Sequence, residues 1–112
     1  MKKLIINFAP TGMKPTKDWT PHVPITPAEI IEQVHEVFEL GITIVHLHAR
    51  DSETGKPDYK ASIYEKIVGG VRKYCKHIII SLSTSGRMFL EFEKRSEVLQ
   101  LKPDMASLTM SS

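Results

Sequence analysis

The chain has 112 residues, of which 41% are hydrophobic and 25% charged, with a formal net charge of +2. That length supplies one hydrophobic core and one compact domain, and the near balance of charge, with no Lys/Arg block, argues against nucleic acid as a partner. The sequence pI near 8.7 leaves a slight preference for anions such as carboxylates and phosphates.

In chain order, Met1-Lys2-Lys3 followed by Leu4-Ile5-Ile6 imitates the start of a signal peptide, but the apolar run stops at Asn7, too short for an h-region. No apolar stretch is long enough to span a membrane. Residues 4–9 read as a buried strand closed by Pro10, Thr11 and Gly12. Residues 10–24, rich in Pro, Thr and Lys, read as a long irregular loop of the kind that carries function. Thr26-Pro27-Ala28-Glu29 is a capping box with proline at the first helical position. Ile30, Ile31, Val34, Val37 and Phe38 then recur at helical spacing, and Gly41 supplies the left-handed stop.

Residues 42–48 form a second strand, followed by a turn at Thr54-Gly55-Lys56-Pro57. A second helix is predicted from Ala61 to about Tyr74, with Ile63, Ile67 and Val71 stacked four apart and Gly69-Gly70 working against it. Cys75, the single cysteine, falls at that helix end as a half-buried thiol; with no internal disulfide possible, a reducing cytoplasm is expected. Residues 77–82 form a third strand. Residues 89–100 form a third helix with Phe92, Val98 and Leu99 as core contacts, and residues 105–109 a fourth strand.

The alternation β-α-β-α-β-α-β predicts parallel strands with crossover helices, either an open doubly wound sheet or a (β/α)₈ barrel. A full barrel needs about 250 residues. Ending on an uncovered fourth strand, the chain is expected to be a single partial domain over residues 1–112: the N-terminal four β/α units of a TIM barrel, truncated after strand 4.

Chemistry concentrates at strand ends. In His46-Leu47-His48-Ala49-Arg50-Asp51 the two imidazoles lie two residues apart, so both point to one side of the strand and can reach one metal ion. The same spacing also suits two core histidines. A catalytic zinc site usually carries three protein ligands. Of the other histidines, His35 falls on the first helix facing solvent, His77 begins a strand at the wrong end, and His22 lies in the long loop. Ser81-Leu82-Ser83-Thr84-Ser85-Gly86-Arg87 places Ser81 and Ser83 on one side and reads either as an anion pocket before a helix or as a plain helix cap. Ser107-Leu108-Thr109 ends the fourth strand.

Six segments in register resemble the β-keto acid cleavage enzyme family, typified by the 3-keto-5-aminohexanoate cleavage enzyme of lysine fermentation. They are Ala9-Pro10-Thr11-Gly12, Pro24-Ile25-Thr26-Pro27-Ala28-Glu29, His46-Leu47-His48-Ala49-Arg50-Asp51, Thr54-Gly55-Lys56-Pro57, Ser83-Thr84-Ser85-Gly86 and Lys102-Pro103-Asp104-Met105-Ala106-Ser107-Leu108. The resemblance implies a zinc ion held by His46 and His48 with a glutamate from a later strand. It implies a β-keto acid and acetyl-CoA as substrates, exchanged to acetoacetate and a new acyl-CoA, in a homo-oligomer. Ser83, Thr84 and Gly86 would receive the substrate carboxylate, with Ser107 assisting; Arg50 would either pair with Asp51 or face phosphates. The third ligand, and the acid and arginine that move protons in the family, would lie beyond residue 112. Three positions depart from the family: Ser85-Gly86 replaces Gly-Gly, Thr109 replaces an asparagine, and Met13-Lys14 stands where relatives acting on amino-substituted substrates carry an acid, so a neutral or acidic substrate is expected. Two rivals stand beside this reading: an inactive barrel fragment that self-associates, and a small α/β domain that binds a phosphate ligand at residues 83–86 with its histidines in the core.

Overall fold

The computed structural model describes residues 2–85 and 87–109. The elements in order are β1 (Asn7–Phe8), α1 (Pro27–Phe38), β2 (Ile44–Leu47), β3 (Ala49–Arg50), β4 (Pro57–Asp58), α2 (Ala61–Tyr74), β5 (Ile79–Leu82), α3 (Phe92–Ser96), a 3₁₀ turn (Glu97–Leu101) and β6 (Met105–Ala106). β1, β2, β5 and β6 pair in that order, all parallel. β3 and β4 form a small antiparallel ribbon above them. This is the N-terminal arc of a (β/α)₈ barrel, four parallel strands backed by helices on one face.

The capping box forms as its sequence dictates. The Thr26 hydroxyl accepts from the Glu29 amide at 3.2 Å, while the Glu29 carboxylate accepts from the amides of Ile25 and Thr26 at 2.7 and 3.1 Å. These bonds, the Ile25 amide foremost, hold the Glu29 carboxyl down at about 2, against the opposing effect of burial. Ile30 and Val34 are buried, and Gly41 reverses the chain at φ +101°.

α2 runs through both of its glycines. Gly70 is where the two helices meet: a Cβ there would stand 2.2 Å from Ile31 Cδ1. Only a residue without a side chain allows this approach, which explains a glycine that helix propensity alone disfavours. Tyr64, Ile67 and Val71 form the buried face, with Ile63 only packed against its edge. Cys75 is fully buried rather than half-buried.

β2 and β5 alternate cleanly. Val45, Leu47, Ile80 and Leu82 face the helices and are inaccessible to solvent. His46 pairs in register with Ser81 on the opposite face, the barrel interior.

Further expectations are corrected, and the fourth strand is Met105–Ala106 rather than residues 105–109. The first strand is only Asn7–Phe8, and Leu4 is 77% exposed, because β1 is an edge strand with β2 on one side alone. The third helix begins at Phe92, not residue 89, and is five residues long before tightening into the 3₁₀ turn. Within it Val98 is buried, but Phe92 (76% exposed) and Leu99 are not core residues. The short, broken helix turns only one side inward, and Val98 holds that side.

Candidate active site

The C-terminal ends of β2, β5 and β6 carry the polar side chains, in an open cleft of about 420 Å³ lined by His46, His48, Ser83, Ser107, Lys14 and Arg87, among others. The strand pleat produces this grouping: residues 46 and 48, and 81 and 83, alternate onto the interior face.

His46 and His48 stand edge to face, ring centroids 4.8 Å apart. His46 Nδ1 lies 2.9 Å from Ser81 Oγ, a bond set directly by the parallel register of β2 and β5. His48 Nδ1 is buried and, among the described residues, has no hydrogen-bond partner. Burial drives the pKa of His48 down to about 4, with the His46 ring and the Arg50 charge pushing the same way and the Thr11 backbone opposing. Burial also lowers the pKa of His46. Both imidazoles are therefore neutral at physiological pH, the form that can coordinate a metal. Among the described residues no third His, Cys, Asp or Glu joins them. His22 and His35 are exposed and His77 sits at the opposite end of β5, in a left-handed conformation at φ +68°.

Ser83 and Ser107 reach the same cleft. Each hydroxyl oxygen accepts from an amide, Ser83 from Ser85 and Ser107 from Thr84, leaving its own proton available to an incoming acceptor. The Thr84 hydroxyl donates to the Ser107 carbonyl, and Arg95 Nε donates to the Thr84 carbonyl. Thr84 thus braces the junction of β5 and β6. Gly86 lies outside the described residues. The helix after this loop begins at Phe92, several residues beyond the serines.

Arg50 neither pairs with Asp51 nor meets solvent. It is fully buried and donates to Thr11 Oγ1, and to the carbonyls of Gly12, Pro15 and Gly55, at 2.6 to 3.2 Å. Asp51 instead accepts from the amides of Glu53 and Thr54 and the Thr54 hydroxyl, closing the β3–β4 turn.

Sequence reasoning singled out Ser81 only as a neighbour of Ser83, and missed Arg87 as part of the cleft. The pairing of Ser81 with His46 spans 35 positions and depends on strand register, which no local pattern reports.

The profile of the beta-keto acid cleavage enzymes matches residues 3–112. The chain is 43% identical over 109 residues to a 3-oxoadipate:acetyl-CoA acetyltransferase of Cupriavidus necator, covering 96% of this chain and 37% of that protein. It is 35% identical over 108 residues to a 3-keto-5-aminohexanoate cleavage enzyme of Acetoanaerobium sticklandii, covering 96% of this chain and 39% of that one. Among solved structures, the ternary complex of ObcA with a C4-CoA adduct and oxalate superposes with a TM-score of 0.70 at 28% identity, over 79% of this chain and 23% of that chain. The chain spans less than two fifths of the length of these curated relatives.

Proposed function

This chain belongs to the beta-keto acid cleavage enzyme family, and from that premise we propose that it carries the metal-binding strand and the carboxylate-binding side of an enzyme exchanging acyl groups between a β-keto acid and acetyl-CoA. Acetoacetate and a new acyl-CoA are the products. The observation that carries the reading is the pair of neutral, inward-facing imidazoles, one anchored by Ser81 and the other with a buried nitrogen left unpartnered among the described residues.

An orphaned buried nitrogen costs about 1–3 kcal/mol, and a metal ligated by both rings would remove that cost. The donor set fits zinc: two of the three protein ligands a catalytic site normally carries, with water and a group outside the described residues completing it. Zinc bound there would polarise the keto oxygen of the substrate as a Lewis acid. The chain's own groups bind and orient. Ser83 and Ser107 offer hydroxyl protons to the substrate carboxylate, and Thr84 with Arg95 fixes the spacing between those two serines.

The substrate class follows from charge. Lys14 and Arg87 line the cleft and no carboxylate does among its described residues. Two cations favour a β-keto acid with a second acidic group over one with an amine. The 43% identical relative is named for a dicarboxylate of this kind. An oligomer is part of the same proposal.

Elemental analysis of the purified protein beside a His46→Ala/His48→Ala double variant tests the metal assignment. Near-stoichiometric zinc in the parent, lost in the variant, is expected. A folded, zinc-loaded parent that retains none would refute it.

A further inference from the structure

We infer that Arg50 is a positioning residue, clamping the first loop against β3, the short strand that directly follows the histidines, so that Met13 and Lys14 form one wall of the cleft. The inference rests on the proposed function for its consequence, but its structural core stands on the geometry alone.

Arg50 is the largest fully buried side chain of the protein, and among the described residues no carboxylate pairs with its charge. A buried guanidinium is costly unless its protons are satisfied. Here the satisfaction comes almost entirely from one segment. Three of its four bonds go to the loop at residues 11–15: Nη1 to Thr11 Oγ1 at 3.2 Å and to the Gly12 carbonyl at 3.0 Å, and Nη2 to the Pro15 carbonyl at 2.9 Å. The fourth, Nε to the Gly55 carbonyl at 2.6 Å, ties in the β3–β4 turn.

The three loop acceptors bracket Met13 and Lys14, which line the cleft beside the histidines. The loop is otherwise held by a turn at Thr16, whose carbonyl accepts from Trp19 and Thr20, and farther along by Lys17, whose Nζ donates to the Glu29 carboxylate on α1 at 3.0 Å. Arg50 is thus a link from the loop's cleft-facing residues to the β3–β4 ribbon beside the histidines. The planar guanidinium fork is suited to such a clamp because it donates to several carbonyls at fixed angles, which a lysine ammonium cannot reproduce. A loop that is free to swing would leave His46 and His48 in the chain's β2–β3 segment but misplace Lys14, so ligand binding and metal binding should respond separately.

Hydrogen exchange by peptide, on the metal-free chain and on Arg50→Lys and the milder Thr11→Val, is the test. It is paired with zinc affinity and with a titration of the zinc-loaded proteins with 3-oxoadipate followed by Trp19 fluorescence. Lys14 Nζ lies 5.9 Å from the Trp19 ring, which makes that indole a reporter of the loop. In Arg50→Lys, peptides covering residues 11–20 should exchange about tenfold faster or more, the effect of losing charge-assisted hydrogen bonds. Peptides of β2 and β5 should keep their protection. Thr11→Val should move the loop in the same direction and less. Zinc affinity should stay within about threefold while 3-oxoadipate binding weakens by about tenfold or more, since neither histidine is substituted and Arg50→Lys keeps the charge beside them while the wall of the site is displaced. Unchanged loop exchange in both variants overturns the inference. So does equal loss of protection in loop and core, which would make Arg50 a residue of the fold only. A parent chain that takes up no zinc counts against the proposed function, and the exchange result still decides the role of Arg50.

Discussion

Replacing Ser81 with alanine separates the role of the His46 environment in metal binding from its role in folding. The hydroxyl lies 2.9 Å from His46 Nδ1, and Ser81 itself is buried. When Nδ1–H donates to this oxygen, the ring's other nitrogen, Nε2, keeps the lone pair that a metal needs. Without the serine, the proton is free to sit on either nitrogen and the ring is free to turn. Removing the outer partner of a ligating histidine typically lowers metal affinity by about 10–100-fold, or about 1.4–2.8 kcal/mol. Folding should suffer less. One hydrogen bond contributes about 1 kcal/mol net, and His46 is only half-buried, so water can take the vacated place. Competition for zinc against a chromophoric chelator gives the first number, and urea denaturation of the metal-free protein gives the second. Ser81→Thr retains the hydroxyl and should retain most of the affinity. Unchanged zinc affinity in Ser81→Ala, or a fall matched in full by lost folding stability, would refute the reasoning.

Further outcomes are expected. Gly69→Ala should stabilise the protein by about 1 kcal/mol in urea denaturation, because a Cβ there meets nothing within 4 Å and alanine is the better helix former. Gly70→Ala should instead destabilise by about 1–2 kcal/mol, its Cβ overpacking Ile31 by more than the helix propensity returns, and the double variant with Ile31→Ala should be less destabilised than the sum of the two single variants. Stability should decline as pH falls from about 6.5 to about 4: the unfolded chain protonates His48 in that window while the folded protein resists until about 4. The effect is capped at about 3 kcal/mol by the size of that shift, and His48→Gln should flatten the slope. Below pH 4.5 a second decline should follow as Glu29, held at about 2 by the capping-box amides, begins to take its proton. Thr26→Ala should cost about 1 kcal/mol by circular dichroism melting, the usual worth of an N-cap.

The sequence by itself determined the local structure and the order of elements. The Thr26 capping box set the start of α1, and periodicity set α2 with its bounds at Ala61 and about Tyr74, because both are written in residues a few positions apart. The interior face of β2 followed from alternation, so His46 and His48 were legible as a pair. Tertiary structure alone decided what those residues meet. Strand register placed Ser81 against His46. Helix packing made Gly70 necessary. The fold carried Arg50 inward to the first loop instead of outward to a phosphate, and turned Phe92 to solvent while burying Val98. In each case the deciding contact joins segments distant in the chain, and the local pattern that shapes a helix or strand carries no information about which neighbour it will face.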